Sequence, residues 1–254
     1  GAGSWPYRER ERERERGTRA GIIHIFNDII SVENLLVAWR EFLRGKRKRS
    51  DVAKFSLNLI SNVLSLNREL SAKTYRHGGY QAFKVNDPKP RDIHKASVRD
   101  RLLHHAIYRI LYPYFDRKFI FDSFSCRRDK GTHKALNRFR QYCRIVSLNF
   151  TRTAWVLKCD IKKFFANIDH ETLKSILAKA ISDESILWLL GQIIDSFNPG
   201  LPLGNLTSQL LVNVYMNKFD HFLKRELKVK FYVRYADDFV ILYSDREYLE
   251  KVLP

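Results

Sequence analysis

Apolar residues recur at helical spacing through the first part of the chain. One stripe covers residues 22–30, and a second covers residues 35–43 beyond a possible cap at Ser31. Gly45 ends the second helix, and Asp51 can cap a third. The stripe of this third helix consists of Val52, Phe55, Leu59, Val63, Leu66 and Leu70. The pattern therefore predicts a helical N-terminal segment.

The middle of the chain mixes strand and helix patterns. Residues 80–85 alternate as in a strand, and residues 87–91 supply a proline-containing turn. Helices are predicted over residues 97–112 and 133–146. Residues 154–160 form an apolar run that predicts a buried strand.

Capping residues and turns organise the C-terminal part. Asp169 and Asp183 can each cap a short helix, and the 198–200 turn precedes a long helix over about residues 207–227. Residues 231–243 form two apolar arms broken at Ala236 and Asp237, which predicts a hairpin. Helices mixed with a few strands favour an α+β fold.

The charge of the chain is strongly positive. Lys and Arg outnumber Asp and Glu by 46 to 28, a net charge of +18. Such a surplus indicates a polyanionic partner, either nucleic acid or an acidic membrane face, unless it only solubilises the surface. No apolar run approaches the roughly 18 residues that cross a bilayer, and no signal-peptide pattern opens the chain. We therefore expect a cytoplasmic protein without membrane contact.

The three cysteines, Cys126, Cys143 and Cys159, are odd in number and lack the spacing of metal ligands. They are expected to be reduced thiols. Residues 8–16 alternate Arg and Glu without an apolar face. Residues 1–21 are therefore predicted to be a disordered repeat or a tag.

Aspartates follow apolar strands at two places. Asp160 ends the first strand, and Asp237 and Asp238 interrupt the hairpin. Adjacent carboxylates oppose each other's ionisation, and a divalent cation removes this conflict. Oxygen ligands suit Mg²⁺, and two such ions about 3.5 to 4 Å apart can activate a hydroxyl and stabilise a leaving phosphate. The alternative is a solvated Asp-Asp turn.

Six segments in order resemble the sequence blocks of reverse transcriptases. Residues 157–169 (LKCDIKKFFANID), 200–209 (GLPLGNLTSQ) and 235–238 (YADD) resemble motifs A, B and C. Residues 89–91, 100–103 and 123–135 resemble the fingers blocks. The resemblance implies the fingers and palm of a right-hand polymerase, with an antiparallel palm sheet backed by helices and no thumb. It further implies N-terminal helices and fingers over residues 22–153 and an incomplete palm over residues 154–254.

The resemblance also assigns roles to the acidic residues. Asp160, Asp237 and Asp238 match the family's catalytic metal ligands, and the backbone carbonyl of Ile161 matches a further ligand. The implied cofactor is a pair of Mg²⁺ ions, with Mn²⁺ as an alternative. The implied partners are an RNA template, a DNA primer or product, and dNTPs.

Other positions match the nucleotide and nucleic-acid contacts of the family. Phe165 matches the aromatic gate that leaves no room for a ribose 2′-hydroxyl, and Arg91 matches the fingers arginine whose planar fork suits phosphates. Lys84 is either a phosphate ligand or a strand-edge lysine. The nucleotide-binding set implied is Lys84, Arg91, Lys162, Lys163, Phe164, Phe165, Leu203 and Gly204, and the nucleic-acid-binding set is Arg127, Arg128 and Tyr235. Packing roles are favoured for His104, His105 and His133.

Motif B departs from the commonest family pattern. Leu203 stands where many relatives have glutamine, and Gln209 follows Ser208 where many have proline. This LGxxxSQ form resembles the reverse transcriptases of diversity-generating retroelements, which work with a basic accessory protein and copy template adenines with frequent error. A group II intron-type or retron-type enzyme is the alternative. A non-catalytic RNA-binding palm scaffold is a further one, although all three aspartates are present.

Overall fold

Four helices open the fold in the computed structural model, which describes residues 25–86 and 90–252. They are α1 (Phe26–Ile30), α2 (Val32–Phe42), α3 (Ser50–Leu57) and α4 (Leu59–Ser71). Ser31 caps α2 as predicted, because its hydroxyl accepts a hydrogen bond from the backbone N–H of Asn34 at 3.1 Å. The Arg/Glu repeat and the start of the first apolar stripe lie outside the described residues.

The prediction of one helix beyond Asp51 was wrong in two respects. Asn58 interrupts the stripe with φ of −119° and ψ of 33°, so the segment forms two helices, α3 and α4. Arg49, and not Asp51, occupies the N-cap position of α3. The Asp51 carboxylate instead pairs with Lys95 at 2.6 Å and Arg101 at 2.7 Å. The Asp51 carboxylate therefore binds two cations that are distant in the sequence and does not cap the helix.

A β-hairpin follows the helices. Its strands are β1 (Tyr80–Asn86) and β2 (Pro90–Ala96), paired antiparallel from Tyr80 opposite Ala96 to Asn86 opposite Pro90. The first strand was predicted, whereas residues from Pro90 onward were expected to continue a turn. Most side chains of β2 are at least partly exposed, so this strand has no apolar signature of its own. The strand β2 forms because it pairs with β1, and a proline is tolerated at the first position of a strand.

Two long helices come next, α5 (Val98–Asp116) and α6 (Thr132–Val146). Both confirm the predicted helices within a few residues. Ser97 caps α5 by accepting from the N–H of Asp100 at 3.1 Å. The first part of α5 is fully buried at Leu102 and Leu103, and the helix packs against α2.

The remaining elements build a three-stranded sheet and its supporting helices. They are β3 (Trp155–Asp160), α7 (His170–Ala180), α8 (Glu184–Ile194), α9 (Leu206–His221), β4 (Tyr232–Tyr235), β5 (Asp238–Tyr243) and α10 (Arg246–Lys251). The strands are antiparallel in the order β3-β5-β4. Asp169 and Asp183 cap α7 and α8 as predicted. A π-helical turn, Phe222–Glu226, continues α9.

The first palm strand is less buried than its apolar run predicted. β3 lies at the edge of the sheet and pairs only with β5 among the described strands. Trp155 and Val156 are 40% and 44% exposed, and only Leu157 and Cys159 turn toward the core. The edge position explains this correction, because one side of the strand has no neighbour in the described sheet.

The main hydrophobic core does not divide at the predicted boundary after residue 153. One cluster joins the N-terminal helices to α7, α8 and α9, from Phe26 to Met216. A second cluster packs one face of the sheet on Leu223 and Val229, and a third packs α6 on the sheet through Tyr142 and Val146. The fold is therefore α+β, as predicted. Among the described residues, no helix has the length and apolar character needed to cross a bilayer.

Candidate active site

Strand register brings the three predicted aspartates together. Asp160 at the end of β3 lies directly opposite Asp238 at the start of β5, and Asp237 occupies the turn between β4 and β5. One carboxylate oxygen from each residue can be chosen so that all three lie within 4.8 Å of one another. Since the register is set along the whole length of β3, the sheet itself determines this cluster.

The electrostatics of the cluster suit a bound cation. Burial, together with the charges of Asp160 and Asp238, raises the pKa of Asp237 above its ordinary value, and the charge of Arg91 opposes this rise. A divalent cation would relieve the repulsion between these carboxylates. The donor set consists of hard oxygen atoms, which fits Mg²⁺ or Mn²⁺.

A buried ion pair supports the turn that carries Asp237. The Arg234 guanidinium is fully buried and donates two hydrogen bonds to the Asp220 carboxylate, at 2.8 and 2.7 Å. It also donates to the carbonyl of Ala236 at 3.0 Å. Ala236 has φ of +57°, a conformation that non-glycine residues seldom adopt. The ion pair thus holds the turn that carries Asp237 in a left-handed conformation.

Sequence reasoning missed this ion pair. Tyr232 adds a third hydrogen bond to Asp220 at 2.7 Å, and Arg234 also reaches Asn213 and Ser123. A signal was present, because a single arginine stands inside the apolar strand that leads to the aspartates. Its partner Asp220 stands in α9, whose core-facing positions are otherwise mostly apolar.

The segment after β3 separates the two adjacent phenylalanines. Lys163 has φ of +49° and starts a short 3₁₀ helix, Phe164–Asn167. Phe164 is 5% exposed and belongs to the main core, which speaks against the nucleotide contact expected of it. Phe165 is only partly buried. Its carbonyl accepts a hydrogen bond from the N–H of Leu201 at 2.8 Å.

Gly200 permits a close approach between motifs A and B. A Cβ atom at this position would lie 2.0 Å from the carbonyl oxygen of Phe165. Gly200 also has φ of +69°, which favours glycine. The 200–204 segment therefore lies directly against the segment that carries Phe165.

The β1–β2 hairpin is anchored on the same segment. The N–H of His94 donates to the carbonyl of Leu203 at 3.0 Å, and the Asn205 amide donates to the carbonyl of His94 at 2.9 Å. Gly204 has φ of +100°, and a Cβ there would lie 2.8 Å from a methyl group of Ile93. These contacts bring Leu203 and Gly204 to the base of the hairpin.

The hairpin separates two of the predicted phosphate ligands. Arg91 lies on the same face of β2 as Ile93, because side chains alternate along a strand. Lys84 pairs with Asp92 in the register and so lies on the opposite face. Both side chains are exposed, but it is Arg91 whose charge acts on Asp237. The structure therefore brings Arg91, and not Lys84, to the aspartates.

The other predicted contacts have mixed outcomes. Lys162 and Lys163 are exposed beside Asp160, and Ile161 packs between two clusters of the core. Arg128 is exposed, with its guanidinium 5.2 Å from the ring centre of Tyr112.

Arg127 and Tyr235 differ in their availability to nucleic acid. Arg127 donates to the Asp116 carboxylate and to the carbonyls of Ile120 and Ser123, at 2.6 to 2.9 Å. Its side chain is 6% exposed, so it stabilises the local loop and is not free for phosphate contact. Tyr235 is 37% exposed, and its hydroxyl accepts a hydrogen bond from Thr132 at 3.1 Å.

Two of the three histidines have the packing roles expected of them. The Nε2 atoms of His104 and His77 lie 3.1 Å apart, and burial lowers the pKa of His104 to about 3. Burial likewise lowers the pKa of His105 to about 4, and its ring packs edge-on against Phe42. His133 is exposed in the first turn of α6.

Comparison with known proteins gives a consistent family. A sequence-family model described as "Reverse transcriptase (RNA-dependent DNA polymerase)" matches residues 84–254. Protein YkfC of Escherichia coli K12 is 26% identical over 145 residues, which cover 53% of this chain and 38% of YkfC. The group II intron-encoded protein LtrA of Lactococcus lactis is 27% identical over 181 residues, which cover 67% of this chain and 27% of LtrA.

Solved structures share the fold at low sequence identity. A chain of a partial Cas6-RT-Cas1–Cas2 complex superposes with a TM-score of 0.53 and 22% identity, covering 87% of this chain and 38% of its own length. Telomerase from Candida albicans, in complex with a fragment of telomeric RNA, superposes with a TM-score of 0.52 and 12% identity. The superposition covers 72% of this chain and 40% of the telomerase chain. The chain therefore spans well under half the length of these proteins.

Proposed function

Because the chain belongs to the reverse transcriptase family, we propose that it catalyses RNA-templated DNA synthesis with Asp160, Asp237 and Asp238 as catalytic residues. The observation that carries this proposal is the convergence of their carboxylate oxygens within 4.8 Å. These residues would hold two Mg²⁺ ions, or Mn²⁺ in their place, with the carbonyl of Ile161 as a further ligand. When bound, the ions supply Lewis acidity at the primer hydroxyl and at the leaving pyrophosphate.

The residues of the chain contribute position and orientation. The backbones of Asp160 and Asp238 are fixed opposite each other by the ladder between β3 and β5, so both side chains start from a constant position. Asp237 depends on the turn that Arg234 holds through the carbonyl of Ala236. Such preorganisation lets the site bind charged groups without rearranging during the reaction.

The incoming dNTP lies between the aspartates and the base of the hairpin. The Arg91 guanidinium binds its phosphates, helped by Lys162 and Lys163. Phe165 borders the sugar and excludes a 2′-hydroxyl by its bulk. Leu203 and Gly204 border the nascent base pair. Lys84 and Phe164 have no part in this proposal, because one lies on the far face of the hairpin and the other in the core.

The nucleic-acid partners are an RNA template and a DNA primer. The net charge of +18 and the exposed Arg128 and Tyr235 support this proposal. We assign residues 22–153 to the N-terminal helices and fingers and residues 154–254 to the palm. The two parts differ in their proposed function but are not separate folding units, because one hydrophobic core includes residues from both.

The proposed subclass of reverse transcriptase rests on the residues at positions 203 and 209, Leu203 and Gln209. We propose that the enzyme belongs to a diversity-generating retroelement and works with a basic accessory protein. A group II intron-type enzyme is a second candidate, favoured by the similarity to the intron-encoded LtrA. The DNA sequence beside the gene distinguishes the two candidates. A template and variable repeat pair there supports a diversity-generating retroelement, whereas an intron RNA supports a group II intron-type enzyme.

Primer extension on an RNA template tests the activity. Asp160→Asn and Asp237→Asn each remove the negative charge of a proposed metal ligand without changing the shape of the side chain. We expect about a thousandfold loss of dNTP incorporation, with an unchanged melting temperature. Asp129→Asn is the matched control, because Asp129 is exposed and has φ of +56°, which asparagine tolerates. Extension by both purified active-site variants at the wild-type rate would refute the catalytic assignment and favour an RNA-binding scaffold.

A further inference from the structure

We propose that the outer face of α6 and the turn after it bind a single-stranded RNA segment at a distance from the catalytic aspartates. We call this surface the α6 track and define it by Asn137, Arg140, Gln141, Arg144 and Phe150. The inference rests on the proposed function in one respect, since that function brings single-stranded template to this protein.

The first observation is a one-sided charge distribution. Residues 130–159 contain no Asp or Glu. The same stretch contains seven basic residues: Lys130, Lys134, Arg138, Arg140, Arg144, Arg152 and Lys158. The stretch itself therefore carries only positive formal charge, which favours a polyanionic partner.

Three of the four arginines in this stretch are available to a ligand. Within the described part of the chain, none of the ion pairs involves Arg140, Arg144 or Arg152. All three side chains are exposed. Arg138, by contrast, forms an ion pair with Asp122, with an N–O distance of 2.7 Å. Arg140 and Arg144 thus carry free guanidiniums on α6, and Arg152 carries a third beyond the end of the helix.

The second observation is a groove between these side chains. It has a volume of about 540 Å³ and is lined by Asn137, Arg140, Gln141, Arg144 and Ile145. These positions are spaced three and four residues apart, so they share one face of the helix. Guanidinium and amide groups side by side can contact both phosphates and the polar edges of bases.

The third observation is a turn that holds an aromatic ring in a solvent-exposed position. Leu148, Asn149 and Phe150 have φ of 49°, 58° and 66°, which is unfavourable for three consecutive non-glycine residues. Hydrogen bonds enforce this conformation, from the N–H of Phe150 to the Ser147 hydroxyl at 2.8 Å and from the N–H of Asn149 to the carbonyl of Arg144 at 2.7 Å. Phe150 is consequently 68% exposed.

A fixed, exposed aromatic ring that lies between Arg144 and Arg152 along the chain fits single-stranded nucleic acid. Unpaired bases stack on aromatic side chains while basic side chains follow the backbone. A duplex fits less well, because its bases already stack on each other. An acidic protein segment would satisfy the charges, but it would leave the ring of Phe150 without a flat partner.

The position of α6 relates the track to the catalytic turn. Thr132, in the first turn of α6, donates a hydrogen bond to the hydroxyl of Tyr235 at 3.1 Å. Arg144 lies 12 residues further along the helix, which corresponds to roughly 18 Å. A strand that follows α6 from the catalytic turn to Arg144 therefore spans about five stacked nucleotides.

Binding of labelled single-stranded RNA, about 12 nucleotides long, tests the stacking role. Phe150→Ala and Phe150→Leu should each weaken binding about tenfold, whereas Phe150→Trp should retain it. Phe121→Ala is the matched control, because Phe121 is also 61% exposed but Lys130 covers its ring at 3.6 Å. We expect this control to bind like the wild type. Equal binding by Phe150→Ala and the wild type would overturn the proposal.

A salt titration tests the basic part of the track. Arg140→Gln/Arg144→Gln should reduce the slope of log affinity against log salt by about 1.4, for two lost phosphate contacts. The charge-matched Arg47→Gln/Lys48→Gln should leave the slope unchanged. An equal loss in both double variants would indicate general charge attraction and contradict a built site. Competition by blunt duplex as strong as by single strand would also contradict it.

These measurements separate this inference from the proposed activity. They are made with the Asp160→Asn chain and without dNTPs, so binding is measured whether or not the protein extends primers. Single-stranded DNA of the same sequence forms a second arm. Tighter RNA binding that depends on Phe150 supports the track as a site for template RNA. Tighter binding of DNA, or no dependence on Phe150 in either arm, would overturn the proposal.

Discussion

The buried guanidinium of Arg234 binds the carboxylate of Asp220 through hydrogen bonds of 2.8 and 2.7 Å, and the same guanidinium holds the carbonyl of Ala236. Both side chains are fully buried. A buried ion pair is tolerated when its remaining hydrogen-bonding groups are satisfied, which Tyr232 does here for Asp220. The pair therefore orients the turn that carries Asp237 as well as stabilising the fold.

Arg234→Lys should separate these two roles. Lysine keeps the positive charge but loses the planar fork, so it cannot bind Asp220 and Ala236 together. We expect a rise in the Mg²⁺ concentration at half-maximal activity and a fall in kcat of about tenfold. Metal titrations of primer extension check this. An unchanged Mg²⁺ dependence would indicate a purely structural arginine.

Removal of one or both charges gives an independent check on the same pair. Arg234→Met leaves Asp220 buried without its partner, and should lower the free energy of unfolding by about 3 to 5 kcal/mol. Arg234→Met/Asp220→Leu should recover most of this stability but none of the activity. Recovery of activity in the double variant would contradict the orienting role.

Phe165 should determine sugar selection. Phe165→Val opens space beside the nucleotide, so the preference for dNTP over rNTP should fall by about ten to a hundredfold. Single-nucleotide incorporation with each substrate measures the ratio. Phe164→Leu is the control, because Phe164 lies in the core and its change should lower the melting temperature without altering the ratio. A ratio that Phe165→Val leaves intact would remove the gate role.

Leu203→Gln should raise fidelity, most visibly opposite template adenine. The backbone carbonyl of Leu203 is held by His94, so the substitution changes only the side chain. Glutamine adds a hydrogen-bonding group beside the nascent base pair, which can improve discrimination by about fivefold to a hundredfold. The measurement is misincorporation relative to correct incorporation for each template base. An unchanged ratio at adenine would show that Leu203 only fills space.

Asp100 should make stability depend on pH. Burial opposes its ionisation, but the Ser97 hydrogen bond, the nearby His77 and the Tyr75 hydroxyl hold the pKa of Asp100 below its ordinary value. A carboxyl with a depressed pKa stabilises the fold above its unfolded pKa, and this contribution is lost as the pH falls through the folded value. Asp100→Asn should therefore cost about 1 to 3 kcal/mol at neutral pH.

The difference between Asp100→Asn and the wild type should shrink below about pH 4, where the wild-type carboxyl also becomes protonated. Denaturant unfolding at several pH values measures it. Asp129→Asn serves as the exposed control and should show no such trend. A difference that stays constant down to acid pH would mean that packing, and not charge, explains the loss.

Local signals in the sequence were sufficient for the elements whose interactions are local. Ser31, Asp169 and Asp183 were predicted as caps, and a cap needs only a hydrogen bond to a backbone N–H two or three residues away. The positions of Asp160 and of Asp237 were also apparent, because each follows an apolar run. The order of the motifs along the chain was enough to indicate the family.

The tertiary structure decided whatever depends on residues distant in the chain. β2 exists because β1 pairs with it, and β3 is exposed because it lies at the sheet edge. Arg127 was expected to bind nucleic acid, but it is held by Asp116 and two carbonyls of its own loop. Arg234 and Asp220 meet only when β4 packs on α9. Spacing along the sequence does not reveal such partners, because the packing of whole elements sets the distances that ion pairs and strand ladders require.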